Sequence, residues 1–311
     1  MWCRCFDKDL VMAENKKKLS GVFAPVVTPF RSDELALDDL RFNLQKLNET
    51  DLAGYLALGS NGEFRSLTDK EQVRVLEVFA EEKGDKLIMV GTGCESTKQT
   101  IEKSQLVCKM GFDYVSVLTP CYFAKQIDGA TLKSHYERIA DSIDIPVLLY
   151  NAPGFTGGVR IPAQTVLELS RHPNIVGMKD SSPEGPAKLL ACLDPDEDFH
   201  VLTGSANFFY PCLHLGVPGG VISLANALPD PCCDLYRLFK QGKYDQARIL
   251  HFRLSRLNQA VSEAWGVAGV KASMDIMGFR PGQPRHPLRA VMNEAVEKIR
   301  RQITDEGFIP A

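Results

Sequence analysis

Asn174-Ile175-Val176-Gly177-Met178-Lys179-Asp180 decides how this chain is read. An apolar, β-favouring run ends in one lysine, with Asp180, Ser181 and Ser182 directly behind it. An ammonium on the inward face of a strand is costly to bury, so such a lysine lowers its pKa, pairs with a carboxylate or enters a covalent bond. The covalent route makes Lys179 a candidate Schiff-base nucleophile. The structural alternative makes it the solvated end of a strand, paired with a nearby acid. The segments on either side weigh between the two.

Outward from this stretch, short apolar runs alternate with longer amphipathic ones, the pattern of repeated βα units. Strands are expected at residues 22–28, 55–58, 87–90, 114–118, 147–150, 175–179, 201–203 and 220–223. Between them, Leu40, Leu44 and Leu47 fall on one helix face, and Thr68-Asp69-Lys70-Glu71 is a capping box opening another helix. Ser96 and Pro162 mark two further helix starts. Eight strands, each followed by a helix, predict an α/β fold, a (β/α)8 TIM barrel over residues 20–241. Residues 1–19 read as a loose, disordered N-terminal tail. Residues 242–311 read as a C-terminal helical extension that packs on the barrel or on another subunit. A doubly wound sheet is the alternative, but no G-x-G-x-x-G follows the first strand, and Gly91-Thr92-Gly93 is only a fragment of one.

Composition narrows the class. The 311 residues carry a formal net charge of −3, 44% hydrophobic and 24% charged residues, the balance of a soluble globular protein without a nucleic-acid footprint. No stretch reaches the length of a membrane span. The nine cysteines, an odd number at low density, fit a reducing compartment; Cys3, Cys5, Cys232 and Cys233 lack zinc-site spacing and read as free thiols. The six histidines are scattered over helices, one strand start and the C-terminal segment, so no metal site is expected. The compartment read from this is the cytoplasm.

In a barrel of this kind catalytic groups stand at the C-terminal ends of the strands. The second strand runs into Gly59-Ser60-Asn61-Gly62-Glu63, a small-residue loop whose N–H groups suit a carboxylate. The fifth ends in Tyr150-Asn151-Ala152-Pro153, the sixth in Lys179, and the seventh in Thr203-Gly204-Ser205. Singly, the loop is a turn and the tyrosine a rim filler. Together they supply an amine, a proton shuttle and an anion cradle, the parts that Schiff-base chemistry needs.

These motifs, Gly59 to Glu63, Tyr150-Asn151-x-Pro153 and Gly177-Met178-Lys179-Asp180, resemble those of the dihydrodipicolinate synthase and N-acetylneuraminate lyase family of class I aldolases. Thr119-Pro120-Cys121-Tyr122, the run from His172 to Ser181, Gly219-Gly220 and Leu224-Ala225-Asn226 are most similar, within it, to the 4-hydroxy-2-oxoglutarate aldolases. The resemblance implies Lys179 as the Schiff-base lysine, Tyr150 as general acid/base, and Ser60 linking Tyr150 to Tyr122, which reaches in from a neighbouring subunit. It implies that the backbone of Ser60 and Asn61 holds the substrate carboxylate, and a homotetramer or dimer of dimers. Asn61, Ser181, Gly204, Ser205 and Phe155 make up the substrate-binding set, with Thr156 and Gly157 beside Phe155. No cofactor is implied beyond the covalent adduct, and the partners are a small 2-oxo acid and an aldehyde. Vertebrate relatives of the closest group are mitochondrial, which keeps a mitochondrial location open.

One departure bears on substrate. Where the lysine-pathway synthases carry an arginine for the aldehyde's far carboxylate, this chain has Phe155, which cannot make that bidentate contact. That puts the synthase reaction second, and the reaction the resemblance implies is cleavage of a 4-hydroxy-2-oxo acid, 4-hydroxy-2-oxoglutarate first, to pyruvate and an aldehyde. A synthase-like condensation and the cleavage of sialic acid or 2-keto-3-deoxy sugar acids are the alternatives. A metal-dependent aldolase and a catalytically retired 2-oxo-acid sensor are the rivals of other kinds.

Overall fold

The computed structural model of the protein describes residues 19–193 and 198–309. Apart from Leu19, the tail read over residues 1–19 lies outside the described residues, Cys3 and Cys5 included. Eight parallel strands close into a barrel in chain order: β1 (Gly21–Pro25), β2 (Gly54–Ala57), β3 (Leu87–Gly91), β4 (Tyr114–Leu118), β5 (Val147–Asn151), β6 (Ile175–Asp180), β7 (His200–Thr203) and β8 (Gly219–Val221). Each strand sends one large apolar side chain inward. Phe23, Leu56, Met89, Tyr114, Leu148, Val176, Leu202 and Val221 form one buried cluster, so the barrel interior is filled rather than open. The alternate residues, among them Val22, Ala57, Val90, Val115, Leu149, Met178 and Val201, face outward and pack under the helices.

The helices begin where local chemistry starts them. Leu40, Leu44 and Leu47 are buried on α1 (Leu37–Asn48). At α2 (Asp69–Glu82) the capping box is complete: Glu71 N–H donates to Thr68 Oγ1, and Thr68 N–H donates to Glu71 Oε2 at 2.8 Å. Ser96 caps α3 (Thr97–Lys109), and Asp128 caps α4 (Gly129–Ala140). Pro162 stands at the N-cap of α5 (Ala163–Leu169), one place ahead of the expected first turn. The unit after β6 departs from the expected repeat, because α6 (Ala187–Leu190) has only four residues. Pro183 and Pro186 flank a left-handed Gly185 (φ +69°), and these breakers use up the segment in which a longer helix would form. The barrel is completed by α7 (Ala206–His214) and α8 (Pro229–Lys240).

Beyond it lie α9 (Tyr244–Asn258), α10 (Ala264–Ile276) and α11 (Asn293–Asp305). A π-helical turn at Gln259–Glu263 joins α9 to α10, and Gly266 (φ 55°, ψ −140°) breaks the start of α10. This irregular backbone forms part of the wall above the C-terminal end of the barrel. Among the described residues no helix is long and apolar enough to cross a membrane. Cys232 and Cys233 are buried free thiols on α8, and burial pushes both up, Cys233 to about 12.

Candidate active site

A register irregularity decides where Lys179 faces. The β5–β6 ladder pairs Val147 with Ile175 but Leu148 with Gly177, leaving Val176 as an extra residue. Ile175 packs outward, so an unbroken strand would have carried Lys179 outward as well. The bulge resets the alternation: Met178 packs outward and Lys179 turns inward, level with its ladder partner Tyr150.

The ammonium of Lys179 therefore ends inside the mouth, where the residue is 5% exposed. Its Nζ lies 4.2 Å from the centroid of the Tyr150 ring. Among the described residues Lys179 forms no ion pair, which removes the reading of it as half of a salt bridge. The adjacent acid is engaged elsewhere. Asp180 accepts hydrogen bonds from Asn151 Nδ2 at 2.8 Å, Ser182 Oγ at 2.8 Å and Ser182 N at 3.2 Å.

Tyr150 is buried, and its hydroxyl lies 3.4 Å from Ser60 Oγ. Burial pushes the phenol up, but the Lys179 ammonium and hydrogen bonds to Ser60, Lys179 and Ser181 outweigh it, leaving the group below its ordinary value. A phenol held below its ordinary value beside an amine is equipped to give and take a proton.

Ser60 sits on a loop held in an uncommon conformation. Leu58 and Glu63, at its two ends, both have positive φ, 52° and 51°. The loop is pinned at Glu63, whose Oε1 lies 2.6 Å from Lys271 Nζ on α10 while Oε2 accepts from Arg285 N–H at 2.9 Å. Lys271 also donates to the carbonyls of Thr28 and Gln283 at 2.8 and 2.9 Å. Burial pushes Lys271 down to about 8, against the pull of Glu63. Neither Glu63 as an anchor nor Lys271 was visible as part of the site in the sequence, since the two are joined only by the fold.

A cavity of about 600 Å³ opens above these groups. Ser60, Asn61, Tyr150, Phe155, Lys179, Ser181, Gly204 and Ser205 all line it, so eight of the nine residues singled out from the sequence share one space. The ninth, Tyr122, does not line it. Its side chain is 80% exposed and packs edge-on against Phe123, with ring centroids 5.0 Å apart. Thr156 does not line it either, being fully buried with its hydroxyl donating to the carbonyls of Ala152 and Val159. Gly157 is also absent from the wall. Gly204 is required by close approach, since a Cβ there would fall 1.8 Å from Ser181 Oγ. The helical extension contributes Ser262, Trp265, Leu288 and Arg289 to the wall, a role beyond the packing expected of it. Among the described residues no group of three or more His, Cys, Asp or Glu side chains comes together as a metal site.

Residues 18–306 match the model of the dihydrodipicolinate synthetase family. A 4-hydroxy-tetrahydrodipicolinate synthase of Methanospirillum hungatei is 35% identical over 289 residues, covering 91% of this chain and 98% of its own length. One from Methanopyrus kandleri is 28% identical, covering 94% and 98%. Among solved structures, the dihydrodipicolinate synthase of Acinetobacter baumannii complexed with pyruvate superposes with a TM-score of 0.85 at 26% identity, over 94% of this chain and all of the other. A monomeric dihydrodipicolinate synthase variant superposes at 0.86 and 26% identity, over 94% and 99%. These relatives carry the synthase name rather than that of 4-hydroxy-2-oxoglutarate aldolase, and so stand nearer to the condensation that the sequence placed second. The chain belongs to the dihydrodipicolinate synthetase family and is a carbon–carbon lyase of the pyruvate-dependent kind, which works through a Schiff base on a lysine and needs no added cofactor.

Proposed function

We propose that this member of the dihydrodipicolinate synthetase family makes or breaks the bond between C3 of pyruvate and the carbonyl carbon of an aldehyde, with Lys179 as the Schiff-base nucleophile. The observation that carries this reading is the buried Lys179 ammonium, without an ion-pair partner among the described residues and set against a phenol whose hydroxyl meets Ser60. In the cleavage sense, the Lys179 amine attacks the C2 ketone of a 4-hydroxy-2-oxo acid. The carbinolamine loses water, and the protonated imine becomes an electron sink next to the C3–C4 bond. Tyr150 takes the C4 hydroxyl proton, the C3–C4 electron pair moves into the imine, and the aldehyde leaves. The enamine is then protonated at C3, and water releases pyruvate from the lysine. Condensation is the same path reversed.

Ser60 relays the Tyr150 proton toward the mouth, and the backbone N–H groups of Ser60 and Asn61, with Ser181, Gly204 and Ser205, hold the 2-oxo-acid end. In a single chain Tyr122 stays outside the cavity, so its part in the relay belongs to an assembly in which a neighbouring subunit supplies it. The relatives' names favour condensation with an aldehyde as the physiological direction. Phe155, standing where the synthases carry an arginine, weighs against the synthase condensation, and the 4-hydroxy-2-oxoglutarate reading rests on the motif resemblance.

The test is borohydride reduction with pyruvate present, followed by intact mass and peptide mapping. A pyruvate-sized adduct on Lys179, absent from a folded Lys179→Ala variant, is expected. A folded wild-type protein that forms no adduct in excess pyruvate would overturn the reading. A coupled assay of pyruvate released from 4-hydroxy-2-oxoglutarate, set beside pyruvate consumed with candidate aldehydes, separates the two directions.

A further inference from the structure

The wall charges of the cavity are unevenly matched. On the cationic side stand Lys179, Arg65 and Arg289; on the anionic side, Glu63 and Glu263. Glu63 is neutralised by Lys271 behind the wall, and Arg65 pairs with Glu95 at 2.9 Å. Glu263 accepts a hydrogen bond from Asn207 Nδ2. Arg289, an exposed residue lining the same cavity as Lys179, by contrast has no hydrogen bond or ion pair among the described residues. Two polar atoms of that wall, Asn61 Nδ2 and Ser262 Oγ, are buried and likewise lack a partner. Buried donors left unused in a wall are groups waiting for an acceptor.

The space also exceeds the needs of pyruvate, for about 600 Å³ is the size of a site that takes a considerably larger ligand. In the same wall the β5 loop presents Phe155, 65% exposed and apolar, and so contributes no cation there. An unpaired guanidinium with a planar fork of donors is the group best matched to a carboxylate.

We infer that Arg289 forms a distal carboxylate subsite, so that the substrates of this enzyme are 2-oxo acids carrying a second carboxylate at the end remote from the carbonyl. This rests on the Schiff-base reading of Lys179 and adds the residue that would hold the far carboxylate of a substrate such as 4-hydroxy-2-oxoglutarate. It also gives Phe155 a consistent place, because the cation that recognises the far end comes from the helical extension and not from the β5 loop.

The test uses stable 2-oxo acids as probes and needs no knowledge of the natural aldehyde. Borohydride-trapped adduct on Lys179 is measured against concentration for 2-oxoglutarate and 2-oxoadipate, for their neutral-ended counterparts 2-oxopentanoate and 2-oxohexanoate, and for pyruvate. In the wild-type protein at least one diacid should half-saturate trapping at a concentration about 10- to 100-fold below its neutral counterpart, the range of a charge-assisted hydrogen bond. Arg289→Gln should remove that advantage and leave pyruvate trapping within about two-fold, while Arg289→Lys restores part of it. Diacids and neutral acids that trap alike in the wild type, or an advantage that survives Arg289→Gln, would overturn the subsite. Failure of pyruvate itself to trap on wild-type Lys179 would instead sink the underlying Schiff-base reading, so the two failures are distinguishable.

Discussion

Replacing Lys271 with methionine breaks an ion pair from which water is excluded on both sides. The Lys271 and Glu63 side chains are 2% and 1% exposed, and their charged atoms are 2.6 Å apart. Methionine fills most of the volume of the lysine stem but leaves the Glu63 carboxylate with one remaining donor, Arg285 N–H. Breaking a buried pair from one side costs about 3–5 kcal/mol, because the stranded charge keeps its desolvation penalty and loses its partner. Against a total stability of about 5–15 kcal/mol, that is a large fraction. A second variant isolates the cause. Glu63→Gln combined with Lys271→Met removes the stranded charge, keeps an acceptor for Arg285 N–H, and should recover at least about 2 kcal/mol of the loss. Urea denaturation followed by circular dichroism measures both.

The same pair carries a pH signature. Burial holds Lys271 at about 8, below the ordinary 10.5, so between those values the unfolded chain binds more protons than the folded one. This group therefore adds stability as pH rises through that window, and the double variant should lack that rise. A single variant within about 1 kcal/mol of wild type, or a double variant no more stable than the single, would refute the claim that a buried charge is at stake.

Three further outcomes follow from the site. Tyr150→Phe should slow turnover by about 10²- to 10⁴-fold while borohydride still traps pyruvate on Lys179; an unchanged kcat would remove Tyr150 as the proton carrier. Ser60→Ala deletes one of the hydrogen bonds that hold the Tyr150 phenol below its ordinary value, so that value rises. Cleavage needs the phenolate, hence the ascending limb of its pH–rate profile should move to higher pH, and a limb that stays in place contradicts the relay. Gly204→Ala puts a methyl 1.8 Å from Ser181 Oγ, so either that hydroxyl or the loop must shift. A stability loss of about 1–3 kcal/mol with weakened pyruvate trapping is expected, and wild-type melting and trapping would show that the contact yields freely.

Residues close together in the chain, or repeated along it, were legible in the sequence. The alternation of apolar runs and amphipathic stretches gives the eight strands, and strand ends alone place Ser60, Tyr150, Lys179 and Ser205 at one mouth. Local chemistry also fixes helix starts such as the Thr68–Glu71 box. The bulge at Val176 was not legible, although it decides which way Lys179 faces, because a run of Ile, Val and Gly looks alike with or without an extra residue in the ladder. The short helix after β6 had a signal in Pro183, Gly185 and Pro186 that the regularity of the repeat overrode.

The helical extension is where the sequence fell furthest short, and for a physical reason. Its amphipathic periodicity reports only that one face is buried, and a helix covering a catalytic mouth buries a face just as a packing helix does. The distinguishing residues interrupt that periodicity: Lys271 is a charge among buried positions of α10, and Gly266 and the π turn at Gln259–Glu263 break the helical path. A charge on a buried face requires a buried counter-charge, and Glu63, the last residue of the loop that carries Ser60, is the one that meets it. The extension is thereby fastened to the catalytic loop itself. The wall that includes Arg289 and the loop that carries Ser60 are thus tied through Glu63, held by Lys271 and by the Arg285 N–H, so the separation between a far-end contact at Arg289 and the Tyr150–Ser60 pair should depend on those bonds.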